Sequence, residues 1–287
     1  MFCVKKGNKK MSKADVIFKE NIRKILNDGI DDNNFDVRPK WSDGTPAHTR
    51  KVFGIVNRYN LKEEFPILTL RKINWKAALD EILWIWQKHS NNVNDLNSHI
   101  WDAWADDTGS IGKAYGYQLG KIIDFGHGEK MNQVDKILKD LTENPASRRI
   151  ITNLYNIEEL KDMALAPCCY SCTFNVSGNT LNMLLNQRSQ DMITANNWNV
   201  CQYAMLLHMI ARHTGLEAGE LVHVIADAHI YDRHIPIAEQ LLGKEGFEAP
   251  KLTINSSVKN FYDFSVEDFS FDNYKYDDEK FVIPVAI

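Results

Sequence analysis

Two strand-like runs, Tyr170 to Val176 and Leu181 to Ser189, flank the turn-forming Ser177-Gly178-Asn179-Thr180, a strong signal for an antiparallel hairpin. If Val176 pairs with Leu181, the register carries Cys168 to a place opposite Ser189 and Cys169 opposite Arg188, barring a bulge. A thiol and a guanidinium thereby become neighbours. A fixed positive charge lowers a thiol's pKa and raises its reactive fraction. A buried, inert cysteine is the commoner alternative.

Around this hairpin, helices and strands interleave without βαβ regularity, which favours an α+β fold. Ser12 to Asn27 reads as an opening helix with Ser12 as N-cap and Asp28-Gly29 at its end. A long polar segment follows, containing Arg38 and the turn residues Ser42-Asp43-Gly44-Thr45-Pro46, and a loop of that length is uncommon without a function. Lys51 to Tyr59 and Pro66 to Leu70 read as strands. Asn74 to His89 reads as a helix apolar around most of its circumference, hence buried. Its Lys76, Asp80 and Gln87 form one narrow stripe, but Glu81 falls outside it among Ala77, Ala78, Trp84 and Ile85. Val200 to His213 is a helix closed by Gly215, and Leu221 to Tyr231 a buried strand. Glu267 to Lys280 is acidic, aromatic and expected at the surface.

The 287 residues are 44% hydrophobic and include 7 Trp, 13 Phe and 10 Tyr, enough to bury a core without disulfides. No repeat or linker divides them, so residues 12–287 read as one domain behind an N-terminal extension over residues 1–11. That extension carries four lysines but no secretory h-region. Five cysteines, an odd number, are not a disulfide framework, which points to reduced thiols and the cytoplasm. A mean hydropathy of -0.37 argues against a membrane protein. The net charge of -4 offers no global field for nucleic acid, so an anionic ligand must be held by clustered arginines such as Arg148, Arg149 and Arg188.

Arg148-Arg149 follow Asn144-Pro145-Ala146-Ser147, and paired arginines beside a turn suit a phosphate dianion, though an exposed charged turn explains them equally well. His229 and Tyr231 share a strand face and can present two hydrogen-bonding groups to a sugar hydroxyl, with core packing as the alternative. Glu81 is either salt-bridged or has a raised pKa suited to proton transfer. Asn199 reads as an N-cap for the helix from Val200. Cys169-x-x-Cys172 is half of a zinc site with no second ligand pair in view, so no metal is expected.

In chain order, Met163-Ala-Leu-Ala-Pro-Cys168, Gln187-Arg-Ser-Gln-Asp191, Asn199 and Asp227-Ala-His-Ile-Tyr231 resemble the signature of the thymidylate synthases. The likeness extends through Trp101-Asp-Ala-Trp104, Gly112-Lys-Ala-Tyr-Gly116, Ser147-Arg-Arg-Ile150 and the terminal Pro284-Val-Ala-Ile287, covering nearly all the chain beyond the first 11 residues or so. The resemblance implies an α+β subunit with a mixed β-sheet flanked by helices, dimerising through back-to-back sheets. It implies reductive methylation of dUMP to dTMP, with 5,10-methylenetetrahydrofolate as carbon and hydride donor.

The resemblance also implies residue roles. Cys168 would attack C6 of dUMP, splitting one hard step into easier ones. Arg188 and Ser189 of one subunit would hold the phosphate with Arg148 and Arg149 of the other, and Arg38 would contribute. Gln187 belongs to the same nucleotide site. His229 and Tyr231 would bind the ribose 3'-hydroxyl, and Asn199 the uracil amide edge. Glu81 would act through ordered water near O4, and Tyr115 in removal of the C5 proton. Trp101 and Trp104 would pack against folate, Asp191 would bond its pterin ring, Asn74 would meet its tail, and Ala286 and Ile287 would help close a lid.

The sequence departs from the family at Cys169, where His is common, at Ala195, where Gly is frequent, and at Asn74, where a basic residue or His is common. The segment Arg38 to Thr49 is longer than the usual phosphate loop, which leaves Arg38 and Lys40 both in play. Two rival functions remain: a nucleotide hydroxymethylase, in which water replaces hydride, and a nucleotide- or RNA-binding relative without chemistry. Intact Cys168, Glu81 and Tyr115 speak against the second.

Overall fold

In the computed structural model, which describes residues 11–287, the chain opens with α1 (Lys13–Asp28). Ser12 caps it, its side chain accepting from the Asp15 amide, as the sequence predicts. β1 (Ile30–Asp31) and β2 (Thr49–Asn60) follow, separated by a loop in which Lys40 bridges Pro46. Then come α2 (Trp75–Trp86), α3 (Gly116–Gly120), the small hairpin β3 (Ile123–Asp124) and β4 (Lys130–Met131), and α4 (Gln133–Glu143). The second half runs through β5 (Ile151–Asn153), β6 (Cys169–Ser177), β7 (Thr180–Asp191), α5 (Asn196–Thr214), β8 (Glu217–Tyr231) and α6 (Ile235–Gly243). β9 (Lys251–Ile254) and β10 (Phe269–Asp272) close the chain as a separate pair.

Six strands form the central sheet in the order β1-β2-β8-β7-β6-β5. β7 and β8 are parallel and the other pairs antiparallel, so the sheet is mixed and the fold is α+β. The parallel pair is possible because α5 supplies the crossover. Alternation of side chains sorts the two faces: Leu181, Met183 and Leu185 of β7 and Leu221, His223 and Ile225 of β8 are buried, while Leu184, Val222 and Val224 are half-buried. Helix α5 lies against β7 and β8 with thirteen buried residues, and α2 packs on α5 with nine, including Trp84 and Trp86. α2 is therefore interior, as its apolar circumference requires.

The structure corrects several expectations. Pro66 to Leu70 is not a strand, although Ile67, Leu68 and Leu70 are fully buried. Its backbone finds side-chain partners instead: Leu68 N donates to Asn197 Oδ1 and Thr69 N to Asp15 Oδ1, both at 2.8 Å. Helix α5 begins a turn before Val200, so Asn199 lies inside it and is not a cap. The segment from Glu267 is only partly superficial, because Phe269 is buried and Phe271 and Tyr274 pack on the core. The expected extension over residues 1–11 lies, apart from Met11, outside the described residues.

Candidate active site

The hairpin of β6 and β7 holds its predicted register from Ser177 back to Ser171, and there a bulge intervenes. Cys169 pairs with Gln187 instead of Arg188, so Cys168 stands opposite Arg188 and not Ser189. The Arg188 amide donates to the Cys168 carbonyl at 2.9 Å. Its guanidinium is clamped by the carbonyls of Pro167 (3.0 Å) and Ala166 (2.6 Å), which places Nη2 3.7 Å from Cys168 Sγ. The one-residue slip brings the two groups closer than the straight register would.

Burial pushes the Cys168 thiol above its ordinary pKa, and the charges of Arg188 and Arg38 and the Tyr115 hydroxyl pull it back without overcoming burial. The expected lowering is thus real as a contribution and outweighed in the isolated chain. Arg38 is exposed, but its charge acts on both Cys168 and Tyr231. Lys40 instead exchanges two backbone hydrogen bonds with Ile287, at 2.8 and 3.0 Å. The chain's last residue is thereby fastened to the loop that carries Arg38.

Tyr115 reaches the same spot from another direction. It adopts the left-handed region (φ 45°) at the start of α3, a conformation rare outside glycine, and its hydroxyl accepts from the Cys168 amide at 3.1 Å. Its ring packs edge-on against Trp101, with centroids 5.0 Å apart. The Trp101 indole in turn donates to Glu81 Oε1 at 2.8 Å, while Trp198 and Gln202 donate to Oε2 at 2.5 and 2.8 Å. Burial raises the Glu81 pKa, and these three donors oppose the rise. No cation pairs with Glu81 among the described residues, which favours proton transfer over an ion pair.

Asn199 sits between Gln187, Gln190 and Gln202: its Oδ1 accepts from the first two at 3.2 and 3.4 Å, and its Nδ2 donates to Gln202 Oε1 at 3.0 Å. Gln187 also bonds His223 at 2.7 Å, so the amide edge of Asn199 is oriented by a connected network. His229 is buried with Nδ1 2.7 Å from Asp227, and its ring stands edge-on to Tyr231 at 5.2 Å. Burial, with the charge of Asp191 adding to it, pushes the Tyr231 phenol up to about 12.

Asp191 closes β7. Its carboxylate accepts from the amides of Ile193 and Thr194 and from the Thr194 hydroxyl, and His234 Nδ1 lies 3.7 Å away. Burial alone would raise its pKa, but His234 and His229 hold it at about 2. His234 is fully buried and bonds the Pro284 carbonyl at 2.7 Å, tying the C-terminal segment to Asp191. Ser189 is half-buried one residue beyond Arg188, Asn74 caps α2, and Ala286 is half-buried near the end of the chain.

Two of the expected residues stand apart. Arg148 and Arg149 are exposed, and among the described residues no hydrogen bond or ion pair joins either of them to Cys168 or Arg188. Trp198, Gln202, Lys51, Asp227 and His234 contact the candidate residues or one another, and sequence reasoning did not single them out. Asp227 opens the Asp227-Ala-His-Ile-Tyr231 run, His234 lies three residues past its end, and Gln202 lies one helical turn after Asn199, so spacing alone offers a signal for these three. No cluster of three or more His, Cys, Asp or Glu side chains poised for a metal occurs among the described residues.

The sequence profile of the family described as Thymidylate synthase matches residues 16–287. The chain belongs to the thymidylate synthase family. It is 48% identical over 281 residues to thymidylate synthase 1 of Bacillus subtilis strain 168, covering 96% of this chain and all of that protein. It is 47% identical to the thymidylate synthase of Bacillus phage phi3T, with the same coverage. Its fold is similar to the solved thermostable thymidylate synthase A from Bacillus subtilis, with a TM-score of 0.91 and 48% identity, covering 95% of this chain and 99% of that one. The chain is an enzyme of this family, a methyltransferase that converts dUMP to dTMP with methylenetetrahydrofolate. Among the described residues, no helix is long and apolar enough to cross a membrane.

Proposed function

We propose that residues 12–287 act as one cytoplasmic catalytic domain in which Cys168 is the nucleophile. The observation that carries this is the convergence on Cys168 of Arg188 at 3.7 Å and the Tyr115 hydroxyl at the Cys168 amide. One continuous buried cluster, running from Ala14 to Phe269, supports the single domain. Sγ of Cys168 adds to C6 of the uracil ring, and the electron pair moves toward O4 and makes C5 nucleophilic. Glu81, whose pKa burial raises against its three N–H donors, relays a proton toward O4 through water, and Tyr115 helps take the proton from C5 before the C6–S bond breaks.

Asn199, held by three glutamines, faces the O4 and N3 edge of uracil with one acceptor and one donor, a pairing an Asp would not offer. Gln187 orients it. His229 and Tyr231 take the ribose 3'-hydroxyl, and Arg188, Ser189 and Arg38 take the phosphate. Reduced folate supplies the carbon and the hydride. Trp101 and Trp104, with ring centroids 5.7 Å apart, Asp191 and Asn74 fit it, and the Trp104 indole N–H is buried without a partner among the described residues. Ala286 and Ile287, pinned to Lys40, cover the site and exclude water.

The phosphate site is shared between two subunits of a homodimer, each lending Arg148 and Arg149 to the other. The exposed guanidiniums support this, as do the half-buried Leu184, Val222 and Val224 and the exposed Val56 on the central sheet, an apolar face suited to a second copy.

The test is dihydrofolate formation followed spectrophotometrically. It should require both dUMP and methylenetetrahydrofolate, and Cys168→Ser should abolish it while leaving nucleotide binding largely intact. Unchanged turnover in that variant would falsify the assignment of the nucleophile. Hydroxymethyl-dUMP without dihydrofolate would point to the hydroxymethylase instead.

A further inference from the structure

We infer that Asp227 is a positioning residue that fixes the tautomer of His229, so that His229 and Tyr231 together read a sugar hydroxyl as both donor and acceptor. The inference rests on the assignment of those two side chains to the 3'-hydroxyl of dUMP. Its basis is a row of alternating charge across β2 and β8. Buried Asp32 accepts from the Thr49 amide at 2.8 Å and lies 3.2 Å from His48 Nδ1. Lys51, the cross-strand partner of His229, has its ammonium 3.9 Å from Asp32 Oδ2 and 3.6 Å from Asp227 Oδ2. The other oxygen of Asp227 lies 2.7 Å from His229 Nδ1.

Burial would raise the Asp227 pKa, but His229 and Lys51 hold it below the usual carboxylate range, so the group is an acceptor only. Nδ1 of His229 must therefore carry the proton. In the neutral ring, Nε2 is then a bare acceptor. Tyr231, whose phenol is pushed up to about 12, keeps its proton and donates. Neither Nε2 of His229 nor the Tyr231 hydroxyl has a hydrogen-bond partner among the described residues. A hydroxyl placed between them donates to Nε2 and accepts from Tyr231, and a bare C–H does neither.

Lys51 gives this arrangement a sharp consequence. In Asp227→Asn, the ammonium draws the amide oxygen to itself, so the amide NH2 faces Nδ1 of His229 and forces the proton to Nε2. His229 Nε2 then donates as well, and the hydroxyl proton is left with only the Tyr231 oxygen, a weaker acceptor than a bare imidazole nitrogen.

The experiment compares dissociation constants of dUMP and 2',3'-dideoxyuridine 5'-monophosphate, measured calorimetrically on the full chain and on Asp227→Asn. The parent should prefer dUMP, and the variant should lose about tenfold of that preference while binding the dideoxynucleotide as the parent does. Asp227→Ala, which removes the partner altogether, is read by the same ratio and keeps the test in force if the amide variant does not fold. A parent that prefers dUMP beside variants that keep the full preference would overturn the role of Asp227. A parent with no preference would overturn the ribose assignment itself, and the inference with it.

Discussion

The Arg188 guanidinium stands 3.7 Å from the Cys168 thiol because the carbonyls of Ala166 and Pro167, just upstream of that cysteine, hold it there. Thiol and cation are thus part of one local construction, set by the bulge in the hairpin.

Burial already raises the Cys168 thiol, and Arg188 is the strongest charge opposing that rise. Arg188→Met should therefore move the pH dependence of Cys168 alkylation by iodoacetamide to higher pH, slowing it at pH 7 by about tenfold. The rate is read on the Cys168 peptide by mass spectrometry. A profile superimposed on that of the parent would show that the guanidinium does not tune the thiol.

All three partners of Glu81 are N–H donors. Glu81→Gln sets an amide NH2 against one of them and removes the proton-transfer group, so kcat should fall by about 10²- to 10⁴-fold. Binding of dUMP, measured separately, should change little. A variant with parental kcat would remove Glu81 from the proton path.

Mixed dimers test the shared phosphate site. Arg149→Glu and Cys168→Ser subunits are each expected to be inactive as homodimers. After unfolding and refolding together in equal amounts, each heterodimer would contain one site free of both lesions, restoring about a quarter of parental turnover. No recovery from well-folded mixtures would place both residues in the same subunit's site.

The pair Asp191 and His234 makes stability depend on pH in a window set by two opposite shifts. Asp191 sits at about 2, below its ordinary value, so its contribution is full above about pH 4 and is lost as pH falls toward 2. His234 is raised, because the interaction with Asp191 outweighs the burial that would lower it, so its contribution is full below about pH 6.5 and fades as pH rises through the folded value. Asp191→Asn should cost roughly 2 kcal/mol at pH 5.5 and less at pH 3 and pH 8.5, read from urea midpoints. A pH-independent difference would mean that packing, not charge, sustains the contact.

Much of the scaffold was legible. Ser12 and Gly29 bound α1, the apolar circumference of α2 announced its burial, and Gly215, with φ at +72°, ends α5. Each of these depends on neighbours within a turn or a hairpin. Pro66 to Leu70 departs from the strand its sequence suggests because its backbone partners, Asp15 and Asn197, lie some fifty and one hundred and thirty residues away. The helix containing Asn199 begins at Asn196, where the Asn199 amide donates to the Ala195 carbonyl, and its first turn carries Asn197, whose side chain bonds Pro66 and Leu68.

Residue order is enough to identify the groups the chain possesses and the local elements that carry them: the hairpin, the thiol before it, the His229 and Tyr231 strand, and the ordered motifs of the family. Tertiary structure alone decided how they act on one another. The bulge moved Cys168 from Ser189 to Arg188, and Glu81 acquired Trp198 and Gln202 from more than one hundred residues away. Asp227 acquired Lys51 across the sheet. Periodicity records which side of an element a residue faces, whereas pKa, tautomer and hydrogen bonding depend on distances between elements. Those distances exist only once the sheet, α2 and α5 have packed.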